Sequence, residues 1–311
     1  MNQTTNPALR AKPLTRRSSI GLSKHAQLYA MIAPFFIMFA AFTVIPVGVS
    51  IFYSFTQFNV LQPAKFVSLS NYAKLFLDDP IFLKAIQNTL IMAVIIGPIG
   101  YILSFMMAWL LNELPPLLRT VLTVIFYAPS ISGNAYVVFR QLFSGDAYGF
   151  INARLLDMGL ISAPILWLAD EQYMMLIVVM VSLWMSLGVG FLSFIAGLQG
   201  VDRSQYEAAE VDGVKNRWQE LWYITLPNMR PQLMFGAVMS VTSALAVADV
   251  TVALTGFPSP NYATHTIINH LNDYGIIRME LGYASAIAVL LFLSMIFINR
   301  FVQKALRKVG T

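Results

Sequence analysis

The chain has 311 residues, of which 57% are apolar and only 11% are charged, and its mean hydropathy is +0.66. Soluble domains average roughly half apolar and a quarter charged residues, so this composition excludes an ordinary soluble protein. The net charge of +5 follows from basic residues placed around membrane spans, as described below, and requires no nucleic-acid partner. The absence of cysteine excludes disulfides and thiolate metal sites.

Six apolar runs are each long enough to cross, as a helix, the roughly 30 Å hydrocarbon core of a bilayer. The predicted spans, in chain order, are residues 28–52, 89–111, 118–143, 173–198, 232–254 and 281–301. We therefore predict an all-α membrane protein with a basic tail at residues 1–25, a transmembrane domain at residues 26–303 and a second tail at residues 304–311. The first apolar run is too long for a signal peptide and lacks a small-residue cleavage pattern, so we expect it to be retained.

Lysine and arginine residues are distributed unequally between the two sides of the predicted spans. Alternating segments place 14 of them on the side that holds both termini and 6 on the other side. Cytoplasmic segments of membrane proteins carry the excess of basic residues. The sequence therefore predicts that both termini and the long loop at residues 202–230 lie in the cytosol.

The sequence lacks the motifs of a nucleotide-binding site or a catalytic centre. Neither G-x-x-x-x-G-K-[ST] nor G-x-G-x-x-G occurs, so any ATP is expected to be bound by another subunit. His25, His265 and His270 are scattered through a tail and a loop, which argues against a metal site or a Ser-His-Asp arrangement. We expect no catalytic residue, no metal and no cofactor in this chain.

The loop at residues 202–230 has the sequence of an ordered element. Asp202 and Gln205 fit the first turn of a helix, since Asp202 can accept hydrogen bonds from exposed amides while Gln205 reaches back. Gly213 ends this helix, because glycine takes the left-handed conformation without steric cost. Trp218 and Trp222, with Leu221 between them, then give a second helical piece an aromatic face for the membrane boundary or the spans.

The first helix of this loop presents acidic residues beside two alanines, a surface that another protein can approach closely. The residues are Glu207, Ala208, Ala209, Glu210 and Asp212. A solvated connector is the alternative interpretation of such a loop. Because a connector needs no capped helix, glycine break and aromatic second helix, we favour the docking of another protein.

Three segments of the loop resemble the signature loop of the inner-membrane permeases of binding-protein-dependent ABC importers: Tyr206-Glu207-Ala208-Ala209, Asp212-Gly213 and Ile224-Thr225-Leu226-Pro227. The resemblance implies a type I ABC importer permease architecture in which this segment is the coupling helix and seats in a cleft of a cytosolic ATPase. On this basis the expected ATPase-coupling residues are Tyr206, Glu207, Ala208, Ala209, Asp212 and Gly213.

Further motifs resemble the carbohydrate branch of this family, the maltose and glycerol-phosphate type, over roughly residues 28–303. They are Phe66-Val67-Ser68-Leu69-Ser70-Asn71-Tyr72, Asp79-Pro80, Asn88-Thr89, Trp184, Gly190-Phe191, Ala196-Gly197-Leu198-Gln199, residues 249–255 and Gly282-Tyr283-Ala284-Ser285-Ala286. The resemblance implies a sugar or oligosaccharide as substrate and the bacterial inner membrane as location. It also implies three partners, namely a second permease that forms a heterodimer with this chain, an ATPase dimer and an extracytoplasmic binding protein.

Polar residues within the spans are candidates for the substrate path. Asp249 in the fifth span is the clearest, since an ionisable residue at membrane depth is costly and usually functional. A water-exposed position near the end of the span is the alternative, and both interpretations stay open. Hydroxyl, amide and aromatic groups that suit a sugar are offered at comparable depth by Ser240, Thr242, Asn134, Tyr127 and Trp184.

Packing is the alternative role for these neutral residues. A tryptophan or tyrosine in a span is commonly a packing residue or an interface anchor. Ser240 also belongs to a stripe of small residues at intervals of four, with Gly236, Ala244 and Ala248. Such a stripe lets membrane helices approach closely, so it predicts a packed fifth span.

Other functions remain as alternatives to an ABC importer permease for sugars. A secondary transporter or channel would need no ATPase, but inverted repeats, broken spans and several intramembrane charges are not evident in the sequence. An intramembrane enzyme would need paired acids or a Ser/His arrangement at depth, and Asp249 has no visible partner. A permease for a solute other than a sugar also stays open.

Overall fold

The structure, a computed structural model, describes residues 21–132 and 135–306, with side chains at residue 26 and from residue 28 onward. The predicted basic tail up to residue 20, Asn134 and residues 307–311 of the predicted second tail lie outside the described residues. Contacts divide the chain into two units, Met1–Val49 and Ser50–Thr311, which are described separately.

The described part of the first unit is helical, and the helix contains one wider, π-helical turn next to a proline. Helix α1, Gly21–Phe39, leads into a π-helical turn at Ala40–Val44 and then into α2, Ile45–Ser54, which continues into the second unit. The Ile45 N–H bonds the Ala40 carbonyl five residues back, and the next residue, Pro46, has no N–H to give to the helix. The first predicted span is therefore one apolar helical stretch, Leu28–Ser54.

The second unit is built of helices. They are α3 Ser70–Leu77, α4 Pro80–Asn112, α5 Pro116–Ile131, α6 Ala135–Leu142, α7 Phe150–Asp157, α8 Glu171–Met185, α9 Val189–Gln199, α10 Arg203–Val211, α11 Arg217–Glu220, α12 Leu226–Asn228, α13 Arg230–Leu245, α14 Asp249–Thr255, α15 Ile267–Asn272 and α16 Leu281–Leu306. Strands β1, Thr56–Gln57, and β2, Lys65–Phe66, pair antiparallel.

The helices supply six candidate membrane spans. Four are long apolar stretches: Leu28–Ser54, Pro80–Asn112, Glu171–Gln199 and Leu281–Leu306. Two further spans arise when α5 is taken with α6 and α13 with α14. The predicted all-α membrane fold is confirmed.

The second span begins at Pro80 rather than at the predicted Thr89. Asp79 caps α4 by accepting a hydrogen bond from the Phe82 N–H (2.9 Å), and Pro80 stands in the first turn, where no N–H is needed. Phe82 and Asn88 are buried against other segments of the protein. Hydropathy missed these turns because Lys84, Gln87 and Asn88 lower the mean hydropathy of the segment.

Three of the six spans within the described residues are interrupted. The third breaks between α5 and α6, the fourth between α8 and α9, and the fifth between α13 and α14 with a bend of 41°. Broken spans, which are not evident in the sequence, are therefore present in the structure. The residues of the last two breaks, Ser-Leu-Gly at 186–188 and Ala-Val-Ala at 246–248, are small or apolar, so the hydropathy pattern runs through them unchanged.

Helix α4 packs against α9 and α13 through small residues. A Cβ on Gly190 would lie 3.6 Å from Gly236 Cα, and one on Gly236 would collide with the Phe194 ring. The Ser240 hydroxyl donates to the Gly97 carbonyl (2.7 Å) where α13 meets α4. The small-residue stripe of the fifth span thus packs closely against α4 and α9, as its spacing predicts, and its residues also border the cavity described below.

The two ends of α4 define two sides of the second unit. The loop side is the side of the C-terminal end of α4, which contacts residues 202–230. The far side is the side of the N-terminal end, where the connection after α2 meets α3 and α16. There Asn71 donates to the carbonyls of Ser54 and Thr56 (2.9 Å each), and the Gly282 N–H donates to the Phe58 carbonyl (3.0 Å).

Replacing Gly282 with alanine is expected to destabilise the far side, because the added Cβ would collide with the Thr56 carbonyl oxygen, a backbone atom. The expected loss of folding free energy is on the order of 1–3 kcal/mol, seen as a lower melting temperature of the purified permease. Gly97→Ala is the matched control, since its Cβ would meet the Ala244 Cβ at an ordinary 3.7 Å. Equal melting temperatures for the two variants would contradict this packing.

Candidate functional site

The second unit contains a cavity of about 390 Å³ lined by α4, α5, α8, α9, α13 and α14. Ser186 and Gly188 from the break in the fourth span lie in its wall, as does the break in the fifth span. Non-helical backbone at membrane depth is tolerated only where it is buried in protein or lines a cavity. The breaks are therefore part of the construction of this cavity.

Six serines line the cavity: Ser104, Ser130, Ser182, Ser186, Ser240 and Ser243. Four of their hydroxyls donate to backbone carbonyls at 2.6–3.2 Å, namely those of Ser104, Ser130, Ser186 and Ser240. A hydroxyl that donates in this way keeps its oxygen lone pairs as acceptors. The buried Ser182 hydroxyl has no partner among the described residues. The wall thus offers acceptors for a ligand rich in hydroxyl groups.

Asp249 lines the same cavity and begins α14 directly after the break in the fifth span. Its side chain is exposed in the single chain. A carboxylate in the first turn of a helix is favoured by the helix dipole, so the position also has a purely structural explanation. Both interpretations drawn from the sequence fit this position, and the role of Asp249 in the path stays a prediction.

The structure separates the other predicted path residues. Tyr127 and Ser240 line the cavity, whereas Thr242 and Trp184 are not among the described residues of its wall. Asn134 lies outside the described residues.

Thr242 and Trp184 pack against neighbouring helices. The Thr242 hydroxyl accepts a hydrogen bond from Asn299 of α16 (3.4 Å), and Trp184 meets Phe139 edge-on with ring centroids 4.9 Å apart. Residues two positions apart on a helix point to nearly opposite faces, so Thr242 and Ser240 cannot both face the cavity. These residues were predicted from their depth along the spans. The helix face on which each residue lies decides whether it reaches the cavity.

Sequence analysis missed five of the serines that line the cavity. They are Ser104, Ser130, Ser182, Ser186 and Ser243. The spacing of Ser182 and Ser186, four residues apart, is the one signal that places two of them on a common helix face. Serine also serves helix packing in membranes, so this spacing alone does not predict a cavity.

The first helix of the 202–230 loop has the predicted ends. The Asp202 carboxylate accepts from the Ser204 N–H (3.0 Å), and Gly213 takes a positive φ of 95° just after α10. The Val214 N–H bonds the Ala209 carbonyl (2.9 Å), which pairs a carbonyl that the helix end leaves open. The predicted cap and the predicted glycine stop are confirmed.

Gln205 does not reach back to the helix start as expected. Its side-chain oxygen accepts instead from the Asn228 amide (2.6 Å) on α12, 23 residues further along the chain. A tertiary partner has replaced the local one, because the two helical parts of the loop pack together. The same packing joins the Tyr206 and Thr225 hydroxyls at 2.9 Å.

The second helical part of the loop rests on the C-terminal end of α4. The Trp218 and Trp109 ring centroids are 5.2 Å apart, and Arg217 pairs with Glu113 at 2.9 Å. Exposed ion pairs contribute little to stability, so the ring contact and the Tyr206 hydroxyl bond are the stronger ties. The loop is thereby ordered against α4 and continues directly into α13.

The outer face of α10 is open. Glu207, Ala208 and Asp212 are exposed, and Val211 beside them is 88% exposed, whereas Tyr206 and Ala209 are half-buried. An apolar residue framed by acidic ones on an ordered helix suits a protein partner. The coupling roles of Tyr206, Glu207, Ala208, Ala209, Asp212 and Gly213 stay predictions.

Two histidines that are separate in the sequence meet on the far side. The ring centroids of His265 and His270 lie 5.6 Å apart, and both side chains are about 1% exposed. Neither ring nitrogen of His265 has a hydrogen-bond partner among the described residues. In the part of the chain that the structure describes, no group of three or more His, Cys, Asp or Glu could hold a metal ion.

Burial is the main reason that the pKa of His265 is lowered, to about 4. The nearby His270 and Arg278 lower the pKa further, while Asp273 and Asp79 oppose them. His265 is therefore neutral at neutral pH. Protonating its ring in the folded protein would bury an unpaired positive charge on the far side.

Broken spans around a hydroxyl-lined cavity, joined to an ordered loop, are typical of a membrane permease. Residues 89–309 match the family described as the inner membrane component of binding-protein-dependent transport systems. The chain belongs to this family.

Relatives of known name agree with this assignment. The chain is 33% identical over 264 residues to the probable ABC transporter permease protein YesP of Bacillus subtilis (strain 168), with 84% of each protein covered. It is 27% identical over 302 residues to the arabinooligosaccharides transport system permease protein AraP of the same organism, covering 95% of this chain and 93% of AraP.

A solved structure shares the fold. It is the crystal structure of a bacterial alginate ABC transporter in complex with an alginate pentasaccharide-bound periplasmic protein. One of its chains is matched with a TM-score of 0.76 and 22% identity, over 93% of this chain and 96% of that chain. The expected importer permease architecture is confirmed.

Acid is expected to destabilise the far side through His265. The folded pKa of about 4 lies below the unfolded value of about 6.5, so the stability is complete above pH 6.5 and is lost as the pH falls toward 4. The loss is on the order of 3 kcal/mol, measured as melting temperature against pH. His265→Phe keeps a ring that cannot be protonated, and an unchanged pH dependence in this variant would contradict the assignment.

Proposed function

We propose that this chain is one permease subunit of an ABC importer and forms, with a second permease, the path for a sugar or oligosaccharide. An extracytoplasmic binding protein delivers the sugar, and a separate ATPase dimer on the cytosolic side drives transport. The chain itself binds no ATP, metal or cofactor and catalyses no reaction.

The observation that carries this proposal is the order of the 202–230 loop. Its helix α10 has an exposed acidic face on one side and is held by side-chain contacts on the other. The Tyr206–Thr225 and Trp218–Trp109 contacts hold α10 against the end of α4. Movement of α10 by a docked ATPase would therefore move α4 and α13, which both line the cavity. Rigid-body shifts of this kind convert one packing of spans into another.

The chemistry of the cavity favours an uncharged, hydroxyl-rich cargo. The wall carries six serines and Asp249, and none of its described residues is a lysine, arginine or histidine. Sugar hydroxyls donate well to serine oxygens and to a carboxylate, whereas an acidic sugar would meet Asp249 without a compensating cation. We therefore propose neutral sugars, in line with the arabinooligosaccharides named for AraP. A permease for another uncharged solute is the nearest alternative.

The proposed orientation puts the loop side in the cytosol and the far side outside, in the inner membrane of a bacterium. The excess of lysine and arginine on the side of the loop supports this orientation. Both termini would then be cytosolic.

A secondary transporter is the alternative from a different class, and such proteins also build their sites from interrupted helices. The family match over residues 89–309 argues against it. The two candidates differ in their need for an ATPase.

The test is co-purification of the permease with its ATPase, followed by ATPase assays with binding protein and a panel of neutral and acidic sugars. Sugar uptake that is independent of ATP would reject the ABC importer proposal.

Asp249→Ala is expected to abolish uptake while leaving assembly of the complex intact, because a carboxylate acceptor is removed from the cavity wall. Hydrogen bonds to charged groups are strong enough that the loss should exceed about tenfold. Asp249→Asn keeps an acceptor oxygen and should retain part of the activity. Thr242→Val is the matched control, since Thr242 meets Asn299 and not the cavity. Transport kinetics unchanged by Asp249→Ala would reject the role.

Glu207→Lys and Gly213→Pro are expected to uncouple transport from ATP hydrolysis. The first reverses a charge on the open face of α10, and the second cannot adopt the positive φ of 95° at its position. Uptake should fall by more than about tenfold at normal permease levels.

Two control variants separate uncoupling from a general defect. Gly213→Asn tolerates positive φ and should keep activity. Asp157→Lys makes a comparable charge change at the exposed end of α7, away from the loop. Normal ATPase association and normal transport in both Glu207→Lys and Gly213→Pro would refute the docking role.

A further inference from the structure

Two motif residues that lie in neither the cavity wall nor the 202–230 loop, Asp79 and Tyr283, meet with three other side chains in one buried group on the far side. We call this group the Asp79 cluster, and its members are Asp79, Phe82, His270, Tyr274 and Tyr283. They come from the start of α4, from α15 and the turn after it, and from the start of α16. All five side chains are buried. The cluster therefore joins the start of α4 to side chains that lie 191 and 204 positions further along the chain.

Asp79 is the centre of the cluster because three donors converge on its carboxylate. One oxygen accepts from the Tyr283 hydroxyl (2.7 Å) and from His270 Nε2 (3.0 Å), and the other accepts from the Phe82 N–H (2.9 Å). An ionised carboxylate can only accept, so the histidine carries its proton on Nε2. Charge-assisted bonds of this kind are about twice as strong as neutral ones.

The ionisation of both partners fits this arrangement. Burial alone would raise the pKa of Asp79, but the bonds from Tyr283, the Phe82 N–H and His270 outweigh it and leave the pKa below its ordinary value. Burial lowers the pKa of His270 more than the neighbouring Asp79 raises it. At neutral pH a charged carboxylate is thus held by a neutral imidazole and a phenol.

Two basic side chains cover the Asp79 cluster on the side that faces the protein surface. Lys74 of α3 lies 4.4 Å from the centre of the Tyr283 ring and pairs with Glu280 at 3.6 Å. Arg278 lies 4.4 Å from the centre of the Tyr274 ring and pairs with Asp273 at 2.7 Å. The tyrosines are thereby fixed from both sides.

Two further residues of α4 fasten the chain that leads to His270. Asn88 donates to the carbonyls of Tyr262 and His265 (2.9 Å each), and the Thr89 hydroxyl accepts from the Ile267 N–H (2.9 Å). Two charged side chains also bind the segment: Lys84 donates to the Asn261 carbonyl (2.6 Å) at the surface, and Asp79 binds His270 in the buried cluster. Segment 260–278 consists of short helical pieces, Pro260–Tyr262, α15 and Asp273–Ile277, and these bonds tie the pieces to α4.

The fastened segment ends in an exposed apolar tip. Ile276, Ile277 and Met279 are each at least half exposed, and Met279 has a positive φ of 56°. The tip follows directly after Tyr274, whose ring is fixed within the cluster. Its position relative to the spans is therefore set by the cluster.

We propose that Asp79 is a positioning residue that locks segment 260–278 onto the starts of the second and sixth spans and so presents a preformed surface to the external binding protein. This inference rests on the proposed function, since it takes the far side to be external. A preformed surface binds more tightly than a mobile one, because less ordering entropy is lost on binding. Loosening the segment should therefore weaken the binding protein's contact without altering ATP hydrolysis itself.

The test uses the assembled transporter with its binding protein and the variant Asp79→Asn. Asparagine still caps α4 through its oxygen, but it places N–H donors where Tyr283 and His270 donate. We expect the binding-protein concentration for half-maximal ATPase stimulation to rise about tenfold. The ATPase rate without binding protein should stay at the wild-type level. Tyr283→Phe should shift the same concentration, and the double variant should shift it by less than the product of the two effects.

A second measurement follows the segment directly. The chain has no cysteine, so Ile276→Cys gives a single spin-label site in this subunit, on the exposed tip. The label should be more mobile in the Asp79→Asn background than in the wild type. Asp78→Asn is the matched control, since this neighbouring aspartate is exposed and its replacement removes the same charge. It should change neither measurement.

The outcomes separate the inference from the proposed function. An unchanged half-maximal concentration in Asp79→Asn would overturn the inference, as would a parallel loss of assembly and of basal ATPase activity in both Asp79→Asn and Tyr283→Phe. A wild-type complex that no binding protein stimulates would overturn the proposed function. In that case the label mobility still decides whether Asp79 holds the segment.

Discussion

The pairing of backbone polar groups within the membrane is the constraint on which the rest of this structure depends. Lipid offers no hydrogen-bond partners, so the chain crosses as helix and interrupts a helix only where protein or a cavity covers the break. The breaks at residues 186–188 and 246–248 meet at one cavity. Serine hydroxyls satisfy several carbonyls there and keep acceptor lone pairs for a ligand. The need to pair backbone polar groups thus explains both the helical spans and the polar cavity between them.

Helix α4 connects the three regions to which we assign function. Its 33 residues extend about 50 Å, from the cap at Asp79 to the tryptophan contact at Trp109. Between these ends it contributes Tyr101 and Ser104 to the cavity wall. The helix is continuous, although Pro98 at its middle removes one backbone hydrogen bond. The loop, the cavity and the far side are therefore all in contact with a single helix.

Local chemistry predicted the local features well. The Asp202 cap and the glycine stop at Gly213 depend on neighbours within a turn or two, and both are present. The small-residue stripe of the fifth span is a repeat at intervals of four, and it too packs as predicted. Features that depend on distant partners were missed. Gln205 binds Asn228 instead of its own helix start, and Thr242 faces α16 and not the cavity.

The sequence by itself determined the membrane class, the six spans, the ordered loop and the family, because hydropathy, capping and motif spacing are properties of contiguous residues. Tertiary structure alone decided where the spans break, which serines line the cavity and how Asp79, His270 and Tyr283 come together. Those features join residues up to 204 positions apart. Sequence periodicity cannot predict these contacts, because they form only when separate helices pack and their buried polar groups become hydrogen-bond partners.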